Sequence, residues 1–162
     1  MKVPRSILIQ NFNEITVSEE SEEVLNMKLD DLLMNNGKMI VLYNLQVPLK
    51  HFNQFIKLWM RGSNPQLEHL YLDYRNGGVT DNKEIMKGIK YQEVPLVRRR
   101  WFKETGSKYE WSVNGGLDIH REDGTKATVY IWNDEGFFRW EMYVWHDHCI
   151  VSPPSGQCTC SA

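Results

Sequence analysis

The segment Asn64-Pro-Gln-Leu67-Glu-His-Leu70-Tyr71-Leu72 places Leu67, Leu70 and Leu72 at the Leu-x-x-Leu-x-Leu spacing of a leucine-rich-repeat strand. Asn36-Gly-Lys-Met39-Ile-Val-Leu42-Tyr43 superposes on it after a step of about 28 residues, inside the roughly 20–29 range of such repeats. The same step forward lands on Val94–Trp101. Backward it lands on Phe12–Val17, where Ile15 and Val17 alternate with polar residues. The repeat is degenerate, because Arg98 stands where a leucine belongs.

Helical segments lie between these runs. In Pro48–Arg61, residues Phe52, Phe55, Ile56, Trp59 and Met60 recur at the spacing of one helix face. Pro48 suits the first turn and Gly62 the stop. An earlier helix falls within Ser21–Met34, with Leu25, Leu29, Leu32 and Leu33 on one side and either Ser21 or Asp30 as its cap. The expected fold class is therefore α/β, with leucine-rich-repeat-like alternating strand–helix units over residues 5–102. An ordinary α/β layer is the competing arrangement.

After Lys103 the pattern changes. Leu117–Arg121 and Lys126–Trp132 flank Glu122-Asp-Gly-Thr125, and Asp-Gly between alternating runs signals a hairpin. Phe137–Trp145 supplies a third run, so a three-stranded antiparallel meander is expected over 109–145. Ile119, Val129, Ile131, Trp140, Met142 and Val144 share its buried face, and Tyr130, Trp132, Phe137, Tyr143 and Trp145 lie largely on the other. Residues 146–162 read as a disordered tail, rich toward its end in Ser, Pro, Gly and Cys.

Composition narrows the function classes. A hydrophobic fraction of 41% with 25% charged residues matches a folded globular chain, and six tryptophans make it aromatic-rich. A net charge of −2 gives no basic field for nucleic acid, and no apolar run is long enough for a membrane span or a signal peptide, so a cytoplasmic or nuclear protein is expected. Cys149, Cys158 and Cys160 all fall near the C-terminus, where they cannot staple the body of the fold.

Candidate chemistry is sparse. His146-Asp-His148-Cys149 with Cys158 and Cys160 holds metal-ligand residue types, but the spacing fits no familiar zinc frame, and neither metal nor cofactor is expected. Arg98-Arg-Arg100-Trp101 reads as a solvated strand edge, since Arg99 points opposite to its neighbours. Gly77-Gly78 and Gly115-Gly116 lack the continuation of a phosphate loop and read as turns. No carboxylate pair singles out an acid and base, so no catalytic residue is assigned. If the leucines of the repeat strands point inward, Val41, Tyr43, His69, Tyr71 and Asp73 point outward together, as a candidate protein-binding surface.

Three stretches carry a family resemblance: Leu29-Asp-Asp-Leu-Leu-Met-Asn-Asn36; Phe52-Asn-Gln-Phe-Ile-Lys-Leu-Trp59 continuing through Gly62-Ser-Asn-Pro-Gln-Leu67-Glu-His-Leu70; and Leu117-Asp-Ile-His-Arg-Glu-Asp-Gly-Thr-Lys-Ala-Thr128, followed by Met142-Tyr-Val-Trp145. Residues 5–145 resemble the nematode F-box-associated domain, type 2. The resemblance implies the substrate-recognition part of an F-box protein in a cullin ubiquitin ligase, a non-catalytic module whose partner is an unidentified protein substrate. No F-box precedes the resemblance in these residues, so binding of the Skp-type adaptor is not expected. The alternative is a small metal-binding protein or enzyme using the C-terminal His/Cys cluster.

Overall fold

An apolar stripe on a helix must lie on an apolar surface, and the stripe on α2 (Leu49–Met60) finds one in a strand from the far end of the sequence. The computed structural model describes residues 13–17, 28–43, 48–75, 82–134 and 137–153. In it Phe52, Phe55, Ile56 and Trp59 are all buried. Phe52 stacks on Trp140 with ring centroids 5.7 Å apart, Phe55 meets the same indole edge-on at 6.1 Å, and Phe52 also touches Phe138. The helix stops at Gly62, whose φ of 107° suits glycine and whose N–H donates to Trp59 O at 2.9 Å.

Trp140 and Phe138 belong to β7 (Phe137–Val144), which pairs antiparallel with β3 (His69–Arg75), setting Leu70 opposite Met142 and Leu72 opposite Trp140. On the other side of β3 lie β2 (Met39–Leu42) and β1 (Glu14–Val17), parallel to it and to each other. Beyond β7 follow β6 (Lys126–Asp134), β5 (Trp111–His120), β4 (Gln92–Phe102) and the short β8 (Ile150–Val151), each antiparallel to its neighbour. The order β1-β2-β3-β7-β6-β5-β4-β8 makes one eight-stranded, curled mixed sheet.

The expected stack of leucine-rich-repeat-like alternating strand–helix units is therefore wrong, while the antiparallel meander is present as β5, β6 and β7. Strand predominates, and among the described residues the α-helices are α1 (Leu29–Met34), α2 and the single turn α3 (Asn82–Ile85). The strand around Val94–Trp101, read as the next repeat, sits at the opposite side of the sheet. A further parallel strand beside β3 would need a crossover helix with its own apolar face, and α3 is only four residues long. β7 takes that place instead, because its large alternate side chains fill the space beneath α2. The antiparallel strands are consequently part of the same sheet as the parallel ones.

Alternation then sorts the faces. Ile40, Leu42, Leu70, Leu72, Ile119, Ala127, Val129, Phe138, Trp140, Met142 and Val144 join Leu32 of α1 and the stripe of α2 in one core on the helix side. The opposite face holds a smaller cluster of Phe102, Val113, Tyr143, Trp145 and Cys149. The β5–β6 turn closes against α2: Glu122 N–H donates to Met60 O at 2.8 Å, and the Arg121 guanidinium lies 5.3 Å from the Trp59 ring.

Gly115 and Gly116 are not in a turn. They lie inside β5, opposite an irregularity in β4 between Val94 and Arg99 that leaves Leu96 and Val97 exposed. Gly116 has φ of 95°, and a Cβ there would stand 2.5 Å from Thr128 Cγ2. Near the C-terminus, residues assigned to the tail form a 3-10 turn, Asp147–Cys149, and then β8. The cap of α1 is Lys28, whose N–H donates to the Asp31 carboxylate at 2.9 Å, so Asp30 lies inside the helix. Phe12, Ser21, Leu25, Gly77, Gly78, Cys158 and Cys160 are outside the described residues.

Trp59 is fully buried between α2, the sheet and Arg121. Trp59→Ala is expected to cost about 3–5 kcal/mol in denaturant unfolding. A cost under about 1 kcal/mol would contradict this packing.

Candidate interaction face and its polar network

The residues that alternate with the core leucines emerge on the sheet face opposite the helices. Strand pairing sets Val41, Tyr71, Glu141 and Tyr130 in one row across β2, β3, β7 and β6, and Asp73, Arg139 and Trp132 in the next. Tyr43, 37% exposed, packs on Tyr71 with centroids 5.4 Å apart. The Arg139 guanidinium lies 5.2 Å from the Tyr71 ring and 5.5 Å from that of Trp132, which is 57% exposed. Two tyrosines, an arginine and a tryptophan thus form a continuous ladder, exposed at Tyr43 and Trp132 and half-buried at Tyr71 and Arg139. Beside it a groove of about 200 Å³ is lined by Ser112, Val113, Asn114, Tyr130, Trp132, Arg139, Glu141 and Tyr143.

Of the residues expected on this face, Val41, Tyr71 and Asp73 are half-buried and Tyr43 is exposed, while His69 is only 7% exposed. His69 stacks on Tyr143 at 4.6 Å and meets Phe102 edge-on, and its Nδ1 stands 3.0 Å from Glu104 Oε1. Glu104 also accepts a hydrogen bond from Trp111 Nε1 at 2.9 Å. Burial alone would raise the Glu104 pKa, but the His69 contact and the other hydrogen bonds prevail and lower it from the ordinary 4.5. Burial pushes the Tyr143 hydroxyl well above its ordinary value. The neighbouring Glu141, to which that hydroxyl donates at 2.6 Å, adds to the effect.

Two further networks anchor this face. Arg100 Nη1 bonds both oxygens of Asp118, at 2.8 and 3.0 Å, its Nη2 donates to Gly115 O, and its guanidinium lies 4.9 Å from the Trp145 ring. Asp118 also accepts from Thr128 Oγ1, which in turn accepts from Trp145 Nε1. Arg100 is thus committed inside the protein, while Arg98 and Arg99 are exposed.

The second network surrounds Glu68. Its carboxylate accepts from Thr105 N–H and Thr105 Oγ1, both at 2.7 Å, and from His148 Nε2 at 2.9 Å, with Lys38 Nζ at 3.3 Å. Burial would raise its pKa, but these donors outweigh burial and hold it at about 2. Cys149 lies beside it, its thiol pushed up to about 12 first by burial and then by the Glu68 charge.

Residues 3–72 match the family described as F-box associated. Over those residues the chain is similar to an F-box-associated region. Its wider similarity is to the F-box associated domain-containing protein sdz-33 of Caenorhabditis elegans, 31% identical over 128 residues, which cover 79% of this chain and 37% of that protein. The chain thus spans little more than a third of the curated relative it matches. No solved structure matches it. The F-box-associated match includes β1, α1, β2 and α2 and ends within β3, so it contains Val41, Tyr43, His69 and Tyr71. Trp132 and Arg139 come from strands outside it. Among the described residues no helix is long and apolar enough to cross a membrane.

The partners that sequence reading missed are Arg139, Glu141 and Glu104. Alternation in Phe137–Val144 already separates Arg139 from the core residues, but only the β3–β7 pairing brings it against Tyr71. The lowered Glu104 pKa means that this carboxylate stabilises the fold above the ordinary value near 4.5, and the contribution is lost as pH falls below it. Glu104→Gln is therefore expected to lose less stability than wild type between about pH 6 and about pH 3.5, read from urea midpoints. Equal acid sensitivity in the two proteins would contradict that role.

Proposed function

We propose that this chain is a protein-binding module of the substrate-recognition type, and that its partner docks on the sheet face bearing Tyr43, Tyr71, Arg139 and Trp132, with Val41 and Asp73 at its margin. The single observation that carries this reading is the ladder itself. Trp, Tyr and Arg side chains held side by side on one face are the residue types that dominate protein–protein binding energy. A rigid sheet presents them with little ordering left to occur on binding. Buried His69 supports this face from below through Tyr143.

The F-box-associated match and the similarity to the F-box associated domain-containing nematode protein support a recognition role within an F-box protein, where the partner would be the substrate delivered to a cullin ubiquitin ligase. Binding, with no chemical step, is the role the ladder serves.

Each of Trp132→Ala and Arg139→Ala is expected to weaken the cognate partner by about 2 kcal/mol or more, roughly 30-fold in Kd. The test is proximity labelling in cells with wild type and both variants, followed by Kd measurement on proteins lost from the variants. Partners that bind wild type and both variants equally would refute this face as the docking site.

A further inference from the structure

We propose that Glu68, His148 and Cys149 form a site for a divalent cation of the zinc class. One ligand atom each from Glu68 and from the sequence-distant pair His148 and Cys149 lies within 4.8 Å of the others. Ligands of one tetrahedral zinc stand roughly 3–4 Å apart, so small side-chain rotations suffice to close the set. Glu68 and Cys149 are buried, whereas the His148 side chain is 55% exposed, stacked on His146 and already directed at Glu68.

The backbone holds the ligands where they are. Glu68 N–H donates to Lys38 O at 2.6 Å, and Glu68 O accepts from Val144 N–H at 2.8 Å, which fixes the chain just ahead of β3. The 3-10 turn carrying His148 and Cys149 is pinned by His146 Nε2 donating to Leu67 O at 2.9 Å and by Lys103 N–H donating to Cys149 O at 3.0 Å. Both Thr105 donors hold the Glu68 carboxylate in orientation, the role that hydrogen bonds around metal ligands ordinarily perform.

The donor set is selective. A sulfur beside an imidazole nitrogen and a carboxylate oxygen suits zinc, and cobalt as its spectroscopic substitute, over magnesium or calcium. The carboxylate already attracts a cation, the Lys38 ammonium, whose partly exposed side chain is able to swing into solvent. Binding forms metal–oxygen, metal–nitrogen and metal–sulfur bonds. Cys149 releases its thiol proton to water, and His148 gives up the Nε2 proton it donates to Glu68, so that it coordinates through Nε2 as the neutral ring protonated on Nδ1. No oxidant or reductant takes part. Three protein ligands leave a fourth position for water or an incoming group.

The test is titration of the full chain with Co²⁺, following the near-ultraviolet thiolate-to-cobalt charge-transfer band, and competition by Zn²⁺. The expected result is one ion per chain, with the band lost in Cys149→Ser and the affinity lowered at least about 100-fold in His148→Ala. His148→Ala alters an exposed side chain and reports even where Cys149→Ser fails to fold. The Cys158→Ser/Cys160→Ser double variant is expected to bind as wild type. Absence of the band, its survival at full affinity in His148→Ala, or its loss in the Cys158/Cys160 double variant would each overturn the proposal, the last assigning the metal to the C-terminal cysteines.

Discussion

Antiparallel pairing of β7 with β3 is the constraint on which the rest of the molecule depends. It sets Trp140 opposite Leu72 and beneath Phe52 and Phe55, so the helix stripe near residue 55 and the strand near residue 140 bury each other. Without β7, the helix-facing side of β3 and the stripe of α2 would meet water. Indoles and phenyl rings of this size carry most of the burial free energy of such a core. The parallel half and the antiparallel half therefore share one hydrophobic core.

The same pairing builds the opposite face. A strand shows its two sides with a period of two, so burying Trp140 and Met142 necessarily places Arg139 and Glu141 on the other side, beside Tyr71 and Asp73. The interaction ladder is thus a consequence of how the core closes. It joins residues inside the F-box-associated match to residues well beyond it, so the proposed binding face needs both the parallel and the antiparallel strands. The polar networks beneath it, His69 with Glu104 and Arg100 with Asp118, satisfy the charges that the curl of the sheet carries inward.

Local readings in the sequence were sound where periodicity alone decided the outcome. The stripe of Pro48–Arg61 marks α2, and alternation in Lys126–Trp132 and Phe137–Trp145 separates Val129, Trp140 and Met142 from Tyr130 and Trp132. The architecture was not legible, because a leucine-rich-repeat strand and a central strand of a mixed sheet carry the same apolar pattern. Which strand lies beside β3 depends on side-chain volume across a gap of about 70 residues, and no local spacing encodes that. Val41, Tyr43, Tyr71 and Asp73 could be assigned to one face from alternation, whereas the burial of His69 depends on Tyr143 and Phe102, which come from distant strands. The Glu68, His148 and Cys149 cluster was hidden for the same reason: two of its members stand together in sequence and the third is 80 residues away.

Native-state hydrogen exchange on the amides of β3 and β7 tests the shared core most directly. Amides bonded across the Leu70–Met142 and Leu72–Trp140 pairs should exchange only through global unfolding, with one free energy common to β2, β3, β6 and β7. Two distinct opening free energies, one for β1–β3 with α2 and another for β4–β7, would show that the halves fold separately and would contradict the account.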